Sequence, residues 1–319
     1  MRLFNRHTFK TSLTMMFLMF TIAYYCHYSY LQVHPRRSPQ STVRIMYVVR
    51  TVSKYYSTRL IYLLQTWIPL VHDDVFFVSD ILLPNVTRTH IIPTETACGP
   101  SSHSVRSLCC QTTHDFILYR RHAFHYDWFC HFDDDQYVHV NNLYEYLSTL
   151  DPDRPYYIGR NSWNSTFKRT KHPYPSHFWF ATFGAGVCLS KRTLDLLESH
   201  TRTTSQFMNG CIREFYPDDI YLGFLISNHL NLSLTKNLRF HSHLERSLFS
   251  QNHKHSFMKT FHQQITFGFW LPEAVPRFLP HLFPINIDPL RMRTLHCLLY
   301  AQLEDCQIRI RKHLFNMTE

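Results

Sequence analysis

The chain has 319 residues, 45 % hydrophobic and 16 % aromatic, which is enough apolar surface for a sizeable core and excludes a disordered protein. Only 7 glycines are present, with no GxGxxG and no P-loop pattern, which excludes the glycine-rich nucleotide folds. The net charge of +10 is diffuse, with no long basic run and no zinc-finger or recognition-helix pattern, so nucleic acid is not an expected partner, whereas an anionic small ligand is compatible.

Arg2, Arg6 and Lys10 precede a largely apolar and aromatic stretch. Residues 1–10 read as a cytoplasmic tail, 11–31 as a single-pass type II signal anchor, 32–42 as a short stem and 43–319 as one luminal body. No small-x-small site favours a cleaved signal peptide instead. Of nine cysteines, Cys26 falls in the anchor, leaving eight in the body without any CxxC pair. Asn85, Asn164, Asn231 and Asn316 open acceptor sequons, and with the cysteines they fit an oxidising secretory compartment.

Within the body, Val43 to Val49 predicts a first strand, with Arg50 and Thr51 at its C-terminal end, where open α/β sheets place ligands. Leu60, Leu63, Leu64 and Trp67 recur at helical spacing over Ser57–Trp67 and place Arg59 in the first turn. Val75 to Val78 is a second strand, 84–105 a loop held by cysteine, and Leu108 to Tyr119 a helix. Next comes Trp128-Phe129-Cys130-His131-Phe132, a strand that ends in Asp133, Asp134 and Asp135. Three carboxylates at the tip of a buried strand either sit in a solvated acidic turn or need a positive partner. The apolar residues directly before them favour the partner, and a hard divalent cation suits carboxylate oxygen while leaving positions for substrate phosphates.

Further along, Val140 to Leu150 predicts a helix opened by Asn141, Tyr156 to Gly159 a strand, and 161–176 a polar, basic surface loop. Gly184 and Gly186 after an aromatic run permit close backbone approach to a ligand or a tight turn in the core. Pro217-Asp218-Asp219 opens an apolar helix, so one carboxylate reads as its cap and the other is free to act as a base. His241 and His243 alternate and, on a strand, would share a face, as structural histidines or as metal ligands. Alternating strands and helices predict an α/β fold with a mainly parallel sheet.

These stretches, in this order, resemble the Fringe family of β-1,3-N-acetylglucosaminyltransferases. The resemblance rests on Arg59-Leu60 with Gln65-Thr66-Trp67, on Trp128 to His131 with the triple Asp, and on His177-Phe178-Trp179-Phe180-Ala181-Thr182. Gly184-Ala185-Gly186, Pro217-Asp218-Asp219, Phe240 to Glu245 and Leu295 to Tyr300 continue it, so that it spans about residues 43–306. The HFWFAT, PDD and HSHLE stretches together are far more specific than the triple Asp.

The resemblance implies a GT-A type fold over 43–319 and transfer of GlcNAc from UDP-GlcNAc, in β-1,3 linkage, to O-linked fucose on EGF-like repeats of Notch-type receptors. It implies residence in the Golgi membrane with the catalytic domain luminal. It assigns Asp135 and His243 to a metal, Mn²⁺ before Mg²⁺, Asp134 and Arg59 to substrate, and Asp219 to the catalytic base. It also implies disulfides Cys98–Cys109, Cys130–Cys188 and Cys297–Cys306, leaving Cys110 and Cys211 to pair or stay free. Two departures are Arg50, where the family usually has Lys, and Ile220, where a Cys often follows the two Asp. The loops over 80–108 and 160–176 also diverge. A related β-1,3-transferase using UDP-galactose, and a catalytically inactive glycan-binding homologue, are the alternative functions.

Overall fold

The computed structural model describes residues 43–83, 86–100, 102–169, 176–243, 254–268 and 279–315. The expected tail, anchor and stem, and the sequon residues Asn85 and Asn316, lie outside the described residues. Among the described residues no helix is long and apolar enough to cross a membrane.

Strand β1 (Ile45–Arg50) is buried along its whole length. Ile45, Tyr47 and Val49 point into one core, Met46 and Val48 into another. A strand covered on both faces has no polar side, which is why this segment is an unbroken apolar run. In chain order there follow β2 (Val75–Ser79), β3 (Ile91–Pro93), β4 (Trp128–Asp133), β5 (Gln136–Val138), β6 (Tyr157–Gly159), β7 (Phe167–Arg169), β8 (Ser176–Phe178), β9 (Val187–Ser190), β10 (Thr235–Lys236) and β11 (Thr266–Gly268).

Seven of them form one sheet in the order β10-β6-β9-β4-β1-β2-β3. The β1–β2, β1–β4, β2–β3 and β6–β10 pairs are parallel, and β9 runs antiparallel to both β4 and β6. The C-terminal ends of β1, β2 and β4 therefore share one edge. The antiparallel β9 brings its N-terminal approach, Gly184 to Gly186, to the same edge. One face of the sheet is covered by Leu60, Leu63 and Trp67, with Tyr137, Phe261 and Phe267. The other is covered by Phe116, Phe207 and Tyr221 from the Val105–His122, Thr204–Glu214 and Asp218–Phe224 helices. β5 pairs with β11, and β7 with β8.

Several local expectations are corrected. The segment 84–105, read as a loop, carries β3 and the short Glu95–Cys98 helix in its described part. The next helix starts at Val105 rather than Leu108, because the Ser104 hydroxyl accepts the Ser107 amide at 3.2 Å and caps it. The Val140–Ser148 helix is capped by His139 Nδ1, which accepts the Asn142 amide at 3.1 Å, and not by Asn141. The expected 161–176 loop contains β7 and the start of β8, held together as a hairpin by the Phe167↔Phe178 pairing.

The cysteine framework also differs. Cys130–Cys188 and Cys297–Cys306 are joined, but Cys98 bonds Cys110 and Cys109 bonds Cys211. The implied Cys98–Cys109 bridge is therefore not formed. Consecutive residues of a helix point about 100° apart, so Cys110 faces the Glu95–Cys98 segment while Cys109 faces the Thr204–Glu214 helix. All eight cysteines of residues 43–319 are thereby paired.

Candidate active site

The parallel register sets Arg50 of β1 directly beside Asp133 of β4. Arg50 Nη2 lies 3.0 Å from Asp133 Oδ1, and His131 Nε2 approaches the same oxygen at 3.3 Å. The Asp133 amide donates to Gln136 Oε1 at 2.8 Å, which closes the tight turn from β4 to β5. Burial would raise the proton affinity of Asp133, but Arg50 and then His131 outweigh it and hold this carboxyl well below the usual range. His131 in turn hydrogen-bonds Asp115 at 2.8 Å. Burial disfavours its cation, yet Asp115 and Asp133 hold it raised, at about 9. The first carboxylate of the triple is thus neutralised by the protein itself.

The other two are not. Asp134 accepts Thr51 Oγ1 at 2.7 Å and Arg59 Nη1 at 3.2 Å, and Arg59 Nη1 stands 3.5 Å from Asp135 Oδ2. The helical segment that begins at Tyr56 delivers Arg59 to this place, with its guanidinium over the Tyr55 ring at 3.9 Å. Burial pushes Asp134 up to about 6, although Thr51 and Arg59 pull it down. Burial, followed by the charges of Asp133 and Asp134, raises Asp135 well above its ordinary value. One guanidinium against two buried carboxylates leaves the pair short of positive charge. That donor set, all hard oxygen, fits a divalent cation.

His243 reaches the same edge by a route the alternating spacing did not indicate. His241 and His243 lie in irregular chain, not on a strand. His241 turns inward, with Nε2 2.6 Å from Gln264 Oε1. Gly268 of β11 pairs with Gln136, the residue after Asp135, and a Cβ on Gly268 would come within 2.6 Å of the His243 amide nitrogen. A Cβ on Gly184 would stand 3.5 Å from the His243 ring. Gly268 thus lets the His243 backbone approach the β5 end of the acidic turn, whereas a side chain at Gly184 would only make ordinary contact with the His243 ring.

Among the described residues, Cys98, Cys110 and His114 also converge as a group of metal-type donors. The two sulfurs are bonded to each other, so no thiolate is available, and His114 Nδ1 lies 2.8 Å from the Cys110 carbonyl. This group is a disulfide with a neighbouring histidine and not an ion site.

Pro217 precedes the Asp218–Phe224 helix, in which Asp218 is the first residue and not the expected cap. Asp218 Oδ2 accepts Arg50 Nη1 at 2.5 Å and Thr112 Oγ1 at 2.7 Å. Among the described residues, the half-buried Asp219 side chain accepts the following Ile220 amide at 2.7 Å. Burial, then the neighbouring Asp218 charge, pushes it up to about 7. A carboxylate with that proton affinity is well suited to accept a proton near neutrality.

Arg50 therefore ties Asp133 to Asp218, and so the acidic turn to the helix of Asp219. The sequence places Arg50 and Thr51 at a strand end, but gives no sign that Thr112 meets Arg50 or that Asp115 and His131 pair behind Asp133. Thr112 and Asp115 stand three apart on one helix face, the only pattern that could have paired them.

The family model described as Fringe, Fringe-like, matches residues 40–303. The chain is 32 % identical over 271 residues to the beta-1,3-N-acetylglucosaminyltransferase lunatic fringe of Gallus gallus, covering 82 % of this chain and 71 % of that protein. It is 32 % identical over 276 residues to the Fringe glycosyltransferase of Drosophila melanogaster, covering 82 % and 63 %. To the lunatic fringe of Homo sapiens it is 31 % identical over 287 residues, covering 86 % and 72 %. A structural likeness at TM-score 0.35 and 10 % identity, over 70 % of this chain and 92 % of the other, is to a glycosyltransferase involved in glycosylation of the major capsid of PBCV-1, and is too low to carry weight. With a family match over most of its length and a mainly parallel α/β sheet that gathers buried carboxylates at its C-terminal edge, the chain belongs to the Fringe family and is a glycosyltransferase.

Proposed function

We propose that this enzyme transfers GlcNAc from UDP-GlcNAc, in β-1,3 linkage, to fucose O-linked to EGF-like repeats of Notch-type receptors. Family membership implies a nucleotide-sugar donor and a glycoprotein acceptor, and the curated relatives' names supply the sugar and the linkage. The observation that carries the reading is the pairing of an undercompensated acidic turn, Asp134 and Asp135, with the half-buried Asp219 next to it through Arg50 and Asp218.

Asp135 and His243 would hold a divalent ion, Mn²⁺ in preference to Mg²⁺, which when bound neutralises charge on the departing diphosphate. Arg59, 3.2 Å from Asp134, supports the same negative charge and orients the donor beside that carboxylate. Asp219 takes the proton from the fucose 3-hydroxyl while that oxygen bonds to the anomeric carbon. The anomeric carbon–phosphate oxygen bond breaks on the opposite face, UDP leaves with the electron pair, and the α-linked donor yields a β product.

The proposal extends to location. Residues 11–31 would anchor the chain in the Golgi membrane as a type II protein with a luminal catalytic domain. The four disulfides support an oxidising compartment.

The test is transfer to an O-fucosylated EGF-like repeat with UDP-GlcNAc and, separately, UDP-galactose, each with Mn²⁺ and with chelator. Metal-dependent addition of a single GlcNAc is expected. Transfer of galactose instead would move the donor assignment, and no transfer from a folded protein that still hydrolyses UDP-GlcNAc would move the acceptor. Absence of both reactions would leave a glycan-binding homologue.

A further inference from the structure

Behind the acidic turn runs a chain of buried polar groups that the proposed reaction does not use directly: Asp115, His131, Asp133, Arg50, Asp218 and Thr112. Each is 9 % exposed or less, apart from Asp133, whose side chain is 26 % exposed. Asp218 cannot meet substrate, because it is 3 % exposed and its Oδ2 is shared between Arg50 and Thr112. Arg50 cannot either. It donates to Asp133, Thr112 and Asp218, and the Phe183 ring lies 5.6 Å from its guanidinium carbon.

We propose that Arg50 and Asp218 are positioning residues that join the β4 acidic turn to the helix of Asp219, and that the balance of their opposite charges sets how tightly Asp219 holds its proton. This rests on Asp219 serving as the base. The helix geometry makes the link short. Asp218 and Asp219 are consecutive in the first turn, so fixing the Asp218 carboxylate against β1 and the Val105–His122 helix fixes the backbone that carries Asp219.

Among the described residues, the charged and titratable groups that act on Asp219 are Asp218 on its own helix, Arg50 from β1, Asp133 from β4 and Tyr157 from β6. Asp115 and His131 stand behind Asp133. Asp218 makes a negative charge on Asp219 harder to hold, and Arg50 makes it easier. Removing one or the other should therefore move Asp219 in opposite directions, which loss of packing alone would not do. Arginine also suits the bridge better than lysine, because its planar fork presents separate N–H groups to Asp133 and to Asp218 at once.

The experiment follows the Asp219 carboxyl carbon by NMR in the full chain labelled with ¹³C-aspartate, assigned by difference against Asp219→Asn, together with the pH profile of kcat. Asp218→Asn should lower the Asp219 midpoint and the acidic limb of kcat by about one pH unit. Arg50→Gln should raise both by a similar amount, and the double variant should return them close to wild type. Arg50→Lys, which keeps the charge but not the fork, should reduce kcat about tenfold with the limb in place. Midpoints unmoved in folded Asp218→Asn, or moved the same way in both single variants, would overturn the proposal. If Arg50→Gln does not fold, the direction of the Asp218→Asn shift alone decides. The NMR titration needs no acceptor, so it reads the charge balance even if transfer fails, whereas full activity in Asp219→Asn would refute the base itself.

Discussion

Arg50 and Asp133 are register partners across β1 and β4, and their side chains meet again at 3.0 Å beyond the strand ends. Parallel pairing at a shared C-terminal edge makes this contact almost unavoidable once both residues end their strands. It divides the triple Asp into one carboxylate neutralised by Arg50 and His131 and two that share the single guanidinium of Arg59. The same guanidinium holds Asp218.

Replacing Asp219 with Asn removes the only proposed proton acceptor. We expect kcat to fall by on the order of 10²–10⁴-fold, with the KM for donor little changed. In the wild type Asp219 must be ionised to act, and its proton affinity is raised to about 7. Activity should therefore rise as pH increases through about 7. Steady-state kinetics between pH 5.5 and 8.5 checks both, with the rate falling about tenfold per unit of pH on the acidic side.

Chelation should abolish transfer, and added Mn²⁺ should restore it. An ion that binds the folded protein and not the unfolded one raises the thermal midpoint, so Mn²⁺ bound at the proposed site should do so here. Asp135→Asn should lose both the rate and the thermal shift. Calorimetry with and without Mn²⁺ separates ion binding from catalysis.

Arg59 places one guanidinium against both Asp134 and Asp135. Arg59→Ala should raise the KM for the nucleotide sugar by about 10- to 100-fold, the loss expected for a charge-assisted hydrogen bond. UDP inhibition constants measured with the same variant should weaken in parallel. An unchanged UDP constant would remove Arg59 from the donor site.

Asp115 and His131 form a buried pair, each side chain 1 % exposed. Asp115→Asn should cost about 3–5 kcal/mol, since it strands a buried cation. The sign of the pH dependence follows from His131, raised from 6.5 to about 9 in the folded protein. Its contribution is fully present below 6.5 and is lost as pH rises through about 9. Urea unfolding at pH 6.5 and again above pH 9 should show the gap between wild type and variant closing at the higher pH.

In Cys98→Ser the freed thiol should be Cys110, identified by alkylation and fragment mass spectrometry of the peptide that carries both neighbouring cysteines. A label on Cys109 would restore the Cys98–Cys109 bridge that the family resemblance implied. Loss of Cys109–Cys211, which spans a sequence separation of 102, should destabilise the fold by about 2–5 kcal/mol.

Elements with a local signal are legible in the amino-acid order alone. Ile45 to Val49, Val75 to Val78 and Trp128 to Phe132 are nearly continuous apolar runs because both their faces are buried, and their alternation with helical segments predicts a mainly parallel sheet. The acidic residues at the end of β4 and the Pro217-Asp218-Asp219 helix start were visible for the same reason: each is an abrupt change of polarity at an element boundary. Which of these groups meet depends on how the elements pack. Neighbouring Cys109 and Cys110 gave no hint of which faces which partner, since that depends on how the Val105–His122 helix is rotated against two others. His241 and His243 looked alike until the chain left the strand geometry that would have given them one face. Asp133 and Asp218 lie 83 and 168 residues from Arg50, and no local pattern links the three. Periodicity records which face of an element is buried, whereas charge pairing across the sheet edge depends on strand order and register, and those are set by the packing of the whole core.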